Sequence, residues 1–210
     1  MAKLDQFTAP QSALLLIDLQ YFDVDPAVGA LSHCSPAEQA AYLSEVWERA
    51  LPASVSALEY ARAAGLEVIH VRIQSLTQDG RDRSSAHKQL GIHVAPGSKH
   101  AEFLPGLEPL EDEIVLNKTS SDAFHSTALD RLLRNLGVAQ VFLVGVLTDE
   151  CVASTARSAS DLGFSPRIIA EGCATVDPRV HASTLARLNG RYAQVVSLAD
   201  FQGSFAAAPR

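Results

Sequence analysis

The chain has 210 residues, which suffices for one domain with a substantial hydrophobic core, and we expect residues 1–210 to form that single domain. A formal net charge of −7 argues against a general nucleic-acid-binding surface, because phosphate binding relies on clustered Lys and Arg. Three cysteines in no paired spacing argue against a disulfide framework, and no apolar run has the length of a membrane span. We therefore expect a cytoplasmic protein that binds neither nucleic acid nor membrane.

Apolar runs bounded by turn residues alternate with segments of helical period along the chain. This pattern is typical of an α/β fold in which helices cross over a parallel sheet. The apolar runs predict six strands, at residues 13–17, 67–73, 113–116, 140–144, 165–170 and 193–197.

The segments between these strands carry helix start and stop signals. Helices are predicted from Ser35 to Ala64 with a break near Pro52, from a capping box at Thr127–Asp130 to Gly137, from Thr148 to Gly163, and over residues 179–188. Residues 75–109 form a long connection rich in Gly, Pro, His and charge, and loops of that length are usually functional or mobile. We expect the tail after Ser197 to be loosely ordered.

Three chemically useful side chains follow predicted strands. In open parallel sheets ligands collect at the carboxyl ends of the strands, where Asp18 follows the first strand, Lys118 the third and Cys151 the fourth. Each alone has an ordinary explanation, as a turn residue, a solvated lysine and a small buried hydrophobe. Together they supply a base, a cation and a nucleophile, which activated-nucleophile catalysis requires.

Cys151 lies where an apolar strand runs into a helix, with Thr148 as the expected N-cap. Unpaired amides and the positive helix end would stabilise a thiolate there, and would also hold an oxyanion on an attacked carbonyl. Asp149 and Glu150 would oppose ionisation if they turned toward the sulfur, so Lys118 would have to offset them. The Asp18 carboxylate would take the thiol proton as a general base and later pass it to a leaving amine as a general acid.

Three segments of the chain resemble the isochorismatase-like cysteine hydrolases. They are residues 14–20 (Leu-Leu-Leu-Ile-Asp-Leu-Gln), 118–129 (Lys-Thr-Ser-Ser-Asp-Ala-Phe-His-Ser-Thr-Ala-Leu) and 145–157 (Gly-Val-Leu-Thr-Asp-Glu-Cys-Val-Ala-Ser-Thr-Ala-Arg). The resemblance implies a three-layer α/β/α fold with a six-stranded parallel sheet in the order 3-2-1-4-5-6, and a homodimer or homotetramer. It also implies an Asp18–Lys118–Cys151 triad, a cis peptide before Leu147, and an oxyanion hole formed by the Leu147 and Cys151 amides.

The resemblance also bears on the reaction. Relatives that hydrolyse the vinyl ether of isochorismate lack a thiol where Cys151 stands, whereas amidases and ureidases have one. Nicotinamidases carry an Asp-x-His metal motif after the second strand, but residues 71–76 read Val-Arg-Ile-Gln-Ser-Leu, so neither metal nor cofactor is expected. His125 occupies a place where relatives often have Asn, and is either a solvent-facing turn residue or a substrate contact.

The expected substrate is a small molecule with several N–H and C=O groups. Candidate contacts are the polar residues Gln20, Arg72, Gln74, Ser75, Arg83, Ser120 and His125, with Phe22 and Phe124 as apolar walls. Arg83 has an alternative reading, because the segment around it is also typical of a solvated loop with compensating charges. We expect a cysteine-dependent hydrolase that forms an acyl-thioester on a linear amide or ureide such as biuret, triuret or ureidoacrylate, releasing ammonia or carbamate. A vinyl-ether hydrolase, a lactam hydrolase and a non-catalytic binding protein of the same fold are the alternatives.

Overall fold

A computed structural model describes residues 7–205 and shows a parallel sheet with helices packed on both faces. Within these residues six strands pair in the order β3-β2-β1-β4-β5-β6, and every pair is parallel. The strands are β1 Ser12–Ile17, β2 Glu67–Ile73, β3 Ile114–Lys118, β4 Gln140–Val146, β5 Ser165–Ala174 and β6 Gln194–Val196. The α/β class and the strand order are confirmed.

The central strand, β1, has an unbroken run of apolar residues because it is buried on both faces of the sheet. All residues of β1 are buried, because β2 and β4 flank it and helices cover both faces. Leu14 and Leu16 pack into one core, whereas Leu15 and Ile17 pack into the core on the other face. A strand buried on both faces carries apolar side chains in both alternating sets.

The helices are α1 Pro36–Glu45, α2 Leu51–Ala64, α3 Ser85–Gln89, α4 Leu129–Asn135, α5 Ala153–Asp161, α6 Pro178–Leu188 and α7 Leu198–Gln202. A wider π-helical turn, Val46–Ala50, joins α1 to α2, which agrees with the predicted break near Pro52. Pro52 falls in the first turn of α2, where a missing amide hydrogen costs no helical hydrogen bond.

The predicted capping box at Thr127–Asp130 is wrong. Helix α4 begins at Leu129, and the Thr127 hydroxyl accepts a hydrogen bond from the Leu129 amide at 3.0 Å. Asp130 instead pairs with Arg134 one turn later, at 2.9 Å. The polar pattern of a capping box is present, but its side chains have nearer partners.

The expectation of a loose tail is also wrong for the residues up to 205. Ser197 caps α7 through a capping box with Asp200, and Phe201 is fully buried. The Phe201 ring lies 4.6 Å from that of Phe142 and 5.2 Å from that of Tyr60, measured between centroids. Residues 206–210 of that tail lie outside the described residues.

The long connection between β2 and β3 is anchored to the sheet. The Ser75 amide donates to Val94 O at 2.8 Å, the Ser84 amide to Thr119 O at 2.9 Å, and the Leu104 amide to Leu19 O at 2.9 Å. These bonds hold the connection against the carboxyl ends of the strands, where the candidate site lies.

Candidate active site

Asp18 ends the central strand in an unusual backbone conformation. Its φ of 54° is the one positive value among non-glycine residues of the described chain, and aspartate tolerates this region better than most residues do. The Asp18 amide donates to Val71 O at 2.9 Å, so the residue is held to β2, and its side chain is fully buried. This placement sets a carboxyl group at the end of the sheet.

Lys118 connects the candidate catalytic residues. It is the last residue of β3, and its side chain is fully buried. Its Nζ atom lies 2.8 Å from Asp18 Oδ2, and donates to Cys151 Sγ at 3.3 Å and to Ser120 O at 3.0 Å. These three contacts account for the donor capacity of an ammonium group.

Cys151 lies in a π-helical turn, Thr148–Val152, that follows a cis peptide between Val146 and Leu147. The cis peptide implied by the resemblance is therefore present. The predicted N-cap is wrong, because Leu147 precedes the first helical residue and the Thr148 hydroxyl bonds to His181 Nδ1 at 2.8 Å. The amides on either side of Cys151 donate to Leu147 O, at 3.1 Å from Glu150 and 3.3 Å from Val152.

Burial and charge decide the protonation of these groups. Burial would lower the pKa of Lys118, but the neighbouring Asp18 and Cys151 raise it above its usual value, so the ammonium stays charged. Burial raises the pKa of Asp18, against the lowering effect of Lys118. Burial also raises the pKa of Cys151 well above its usual value, again against Lys118. Burial therefore favours the thiol form of Cys151, against the stabilising effect that a helix start has on a thiolate.

Two acids that lie far from Cys151 in the sequence oppose its ionisation. The charges of Asp18 and Asp23 raise the pKa of the thiol. Asp149 accepts a hydrogen bond from the Thr175 hydroxyl, which ties its side chain to the end of β5.

Several predicted pocket residues lie at this edge of the sheet. Gln74 and Ser75 are buried just after β2, and the backbone amide of Gln74 donates to Lys118 O at 3.2 Å. The Gln74 Oε1 atom is buried and has no hydrogen-bond partner among the described residues. Ser120 contributes its carbonyl oxygen to Lys118, while its hydroxyl bonds to Ser126.

The two predicted apolar walls are both buried. Phe124 belongs to the same apolar cluster as Cys151, with its ring 5.8 Å from that of Phe164. Phe22 packs in a small cluster with Ile73 and Val94. Both rings therefore serve at least as packing around the candidate site.

Gln20 and Arg83 bind the main chain instead of lining an open pocket. The Gln20 side chain accepts from the Ile73 amide at 2.7 Å and donates to Ile73 O and His100 O. The Arg83 guanidinium donates to Gly80 O at 2.8 Å and to Ile92 O at 2.7 Å. Both side chains are used to hold the loops around the site.

Arg72 faces the other side of the sheet from Lys118. It pairs in register with Asn117, and successive side chains of a strand point to opposite faces. Its guanidinium donates to Asn117 Oδ1 and to Ala101 O, both at 2.8 Å, and lies 5.3 Å from the centre of the Phe103 ring. We therefore do not include Arg72 in the proposed pocket.

His125 has a largely exposed side chain, at 78% of its surface, and pairs with Asp122. This environment agrees with the reading of a solvent-facing turn histidine.

Sequence reasoning missed three polar groups of this region. The Asp23 Oδ2 atom, the Tyr42 hydroxyl and both ring nitrogens of His87 are buried without a hydrogen-bond partner in the described chain. Burial and the charges of Lys118 and Arg83 lower the pKa of His87 to about 4, so its ring is neutral near neutral pH. Of these residues, only Asp23 could have been recognised from the sequence, because it follows Asp18 closely. The position of Tyr42 in α1 is typical of an ordinary core residue.

Two features are absent from residues 7–205. No group of three or more His, Cys, Asp or Glu side chains comes together in an arrangement that would hold a metal ion. None of the helices there combines the length and apolar character needed to cross a bilayer.

The fold and the site together define a doubly wound α/β protein with a buried acid, lysine and cysteine at the carboxyl edge of its sheet. Residues 12–200 match the family model of the isochorismatase domain. The chain belongs to the isochorismatase family, and is a hydrolase of that family.

Relatives of known sequence and structure agree with this assignment. The chain is 28% identical over 200 residues to the uncharacterized isochorismatase family protein YddQ of Bacillus subtilis (strain 168), a match that covers 90% of this chain and 98% of YddQ. It is 29% identical over 171 residues to the ureidoacrylate amidohydrolase RutB of Caulobacter segnis, which covers 70% of this chain and 69% of that protein. An isochorismatase family protein from Desulfovibrio vulgaris has a similar crystal structure, with a TM-score of 0.74 and 26% identity, covering 92% of this chain and 97% of that one.

Proposed function

We propose that this protein hydrolyses a small amide or ureide, with Cys151 as the nucleophile, Asp18 as the proton acceptor and donor, and Lys118 as the positioning cation. The contact of one buried ammonium with both Asp18, at 2.8 Å, and Cys151, at 3.3 Å, carries this proposal. A buried lysine between a carboxylate and a thiol holds the base and the nucleophile at fixed positions.

The first half of the reaction forms a thioester. The substrate carbonyl oxygen is held by the amides of Leu147 and Cys151, which stabilise the developing oxyanion. Asp18 takes the Sγ proton as the sulfur attacks the carbonyl carbon, and then gives that proton to the leaving nitrogen. The C–N bond breaks, ammonia or an amine leaves, and the acyl group remains on Cys151.

The second half restores the enzyme. Asp18, again a carboxylate, takes a proton from a water molecule that attacks the thioester carbonyl. The C–S bond breaks, the acid or carbamate is released, and the sulfur regains a proton. Burial raises the pKa of Asp18, which makes its carboxylate a stronger base than an exposed aspartate, and burial also raises the pKa of the Cys151 thiol.

The polar atoms of the pocket favour a substrate with N–H groups next to the scissile bond. Gln74 Oε1 is a buried acceptor without a partner among the described residues, and His87 offers a neutral ring in the same loop region. An N-carbamoyl compound such as biuret, triuret or ureidoacrylate presents N–H and C=O groups of that kind. The similarity to a ureidoacrylate amidohydrolase supports this class. A homodimer or homotetramer stays a prediction.

A substrate panel with active-site variants tests the proposal. Protein treated with a chelator is incubated with biuret, triuret, ureidoacrylate, nicotinamide, small lactams and isochorismate, while ammonia release and ring or ether cleavage are measured. We expect turnover of at least one amide or ureide and its loss in Cys151→Ala. Asp18→Asn and Lys118→Ala should lower kcat/KM by about 100- to 10,000-fold, the usual contribution of acid–base groups.

Acid quenching during turnover followed by mass spectrometry should show an acyl group on the peptide that contains Cys151. Cys34→Ser, which removes a thiol outside the site, is the matched control and should keep full activity. Full activity in Cys151→Ala would instead indicate the vinyl-ether reaction, and activity only after addition of a divalent metal would contradict the mechanism. A protein that turns over nothing and acquires no acyl group would be a binding protein of this fold.

A further inference from the structure

The turn Thr148–Val152, which contains the candidate nucleophile, is held from outside by two side-chain contacts. At its first residue, the Thr148 hydroxyl lies 2.8 Å from His181 Nδ1. At its second residue, the Asp149 carboxylate accepts a hydrogen bond from the hydroxyl of Thr175, which directly follows β5. The turn is therefore tied to two later elements of the chain, the helix α6 and the end of β5.

The contact with His181 satisfies a buried hydroxyl. Thr148 is fully buried, and within residues 7–205 its hydroxyl is bonded to His181. A buried polar group without a partner loses its bonds to water and gains none in return. The hydrogen bond therefore fixes the side chain of Thr148, and with it the start of the turn, against α6.

His181 lies in the first turn of a helix whose own position is fixed. The Asp177 side chain caps α6 by accepting a hydrogen bond from the Arg179 amide at 2.8 Å, and the His181 amide donates to Asp177 O at 3.0 Å. At the other end of α6, Leu188 is fully buried in the apolar cluster that also contains Cys151. The imidazole thus reaches the turn from a capped and packed helix.

The position of this turn decides where the reacting groups lie. Leu147 directly precedes Thr148, and its carbonyl oxygen accepts hydrogen bonds from the amides of Glu150 and Val152, at 3.1 and 3.3 Å. The proposed oxyanion donors are the amides of Leu147 and Cys151, one on each side of Thr148. Such donors are effective when they point at the place where charge develops. A displacement of Thr148 would therefore disturb both donors together with the sulfur.

The imidazole of His181 is neutral near neutral pH. Burial lowers its pKa, and the charge of Arg49 lowers it further, against the raising effects of Glu45 and Asp149. A neutral ring has one nitrogen that donates and one that accepts a hydrogen bond. An asparagine amide also offers a donor and an acceptor, so asparagine is the conservative replacement at this position.

We propose that His181 is a positioning residue, which acts through Thr148 to fix the turn that carries Cys151 and to aim the two oxyanion donors. This inference rests on the proposed reaction at Cys151. The bond between His181 and Thr148 involves neither the sulfur nor the proposed oxyanion donors. Its loss should therefore slow the chemical step much more than it weakens substrate binding.

Single variants of the two partners test this role in steady-state kinetics. His181→Leu and Thr148→Val each remove one side of the hydrogen bond. We expect kcat for the best amide of the substrate panel to fall by about 10- to 100-fold, with KM changed by less than about threefold. His181→Asn should keep kcat within about threefold of the wild-type value. Arg187→Gln, at an exposed position of the same helix, is the matched control and should leave both constants unchanged.

The double variant Thr148→Val/His181→Leu separates positioning from a general loosening of the fold. If both residues act through one bond, kcat of the double variant falls no further than that of the more affected single variant. Losses that multiply, an equal loss in His181→Asn, or an unchanged kcat in His181→Leu would overturn the proposal. Urea unfolding checks that each variant is folded in the assay. If Thr148→Val does not fold, the comparison of His181→Leu with His181→Asn decides alone.

Acylation by an activated ester separates this inference from amide hydrolysis. With p-nitrophenyl acetate, a C–S bond forms between the Cys151 sulfur and the acetyl carbon, the ester C–O bond breaks, and p-nitrophenolate and the thiol proton are released. Mass spectrometry of the peptide that contains Cys151, in a Cys34→Ser background, gives the rate. We expect slower acetylation in His181→Leu and Thr148→Val, and an almost unchanged rate in His181→Asn.

The two assays assign each failure to one hypothesis. If no amide is hydrolysed but acetylation follows this order, the positioning role holds and the proposed hydrolysis fails. Amide hydrolysis that is unaffected in His181→Leu would leave the proposed reaction standing and refute the positioning role. A Cys151 that reacts with neither amides nor the ester would refute both.

Discussion

The Lys118 ammonium lies 2.8 Å from the Asp18 carboxylate, and both side chains are fully buried. Two charges removed from water in this way depend on each other, because either one alone would be left unpaired in the interior. The pair is therefore needed for the stability of the protein as well as for its proposed chemistry.

Lys118→Met should lower the free energy of unfolding near neutral pH by about 3–5 kcal/mol, since it leaves Asp18 without its partner. The double variant Asp18→Asn/Lys118→Met should recover most of that loss, because both charges are then gone. Equilibrium urea unfolding measures both values, with Lys88→Met as an exposed control. A loss in the double variant as large as that in Lys118→Met, or larger, would mean that the two residues are not coupled.

Cys151 should react slowly with iodoacetamide near neutral pH and faster as the pH rises. The pKa of the thiol is raised by burial, so the reactive thiolate is scarcer at neutral pH than in a free cysteine. Asp23→Asn should speed the reaction because the charge of Asp23 raises that pKa, and Lys118→Met should slow it because Lys118 lowers it.

Mass spectrometry of the peptide containing Cys151, in a Cys34→Ser background, gives the alkylation rate. Cys173, whose pKa burial raises to about 12, is an internal standard for an unreactive thiol. Rapid alkylation of Cys151 in mildly acidic solution would show a resting thiolate and contradict the structure.

Gly145→Ala should disturb both folding and activity. Gly145 pairs in register with Ile17, and an added Cβ would lie 2.1 Å from the Ile17 carbonyl oxygen, while the glycine φ is 142°. Forcing β4 away from β1 beside Asp18 should cost about 3 kcal/mol or more and lower kcat/KM. Urea unfolding and steady-state kinetics measure the two effects.

Gly137→Ala is the matched control for that change. Gly137 has a φ of 71° and open space around the added atom, so only backbone strain of about 1–2 kcal/mol is expected. Its catalytic rate should stay at the wild-type value. Equal losses of activity in both variants would mean that the contact between Gly145 and Ile17 does not position the site.

Phe201→Ala should destabilise the protein by about 3–5 kcal/mol, the usual cost of deleting a buried aromatic ring. The ring is fully buried against Phe142 and Tyr60, although it lies in a part of the chain whose sequence resembles a loose tail. Gln202→Ala, on the exposed side of α7, should change the stability by no more than about 0.5 kcal/mol. A small effect of Phe201→Ala in urea unfolding would show that α7 does not belong to the cooperative core.

Strand positions were predictable to within a few residues, and the errors have physical causes. The predicted third strand stopped before Lys118 because a lysine is usually solvated, whereas here Asp18 compensates its burial. The predicted fifth strand ended at residue 170, but β5 continues to Ala174 past a register shift opposite Leu143 and Gly145. The local pattern of polar and apolar residues identifies apolar strands well. It fails where a distant partner or a β-bulge allows polar residues to belong to a strand.

The sequence by itself determined the parallel α/β architecture and the positions of Asp18, Lys118 and Cys151 at one edge of the sheet. It could do so because the periodicity of apolar residues and the ends of strands are local properties of a chain. Only the tertiary structure decided which polar groups are already used, as Gln20 and Arg83 are, and which are left unpaired, as Asp23 and Tyr42 are. It also decided that burial raises the pKa of the Cys151 thiol, against the lowering effect of Lys118. Hydrogen-bond partners and desolvation depend on residues far apart in the chain, so no local pattern records them.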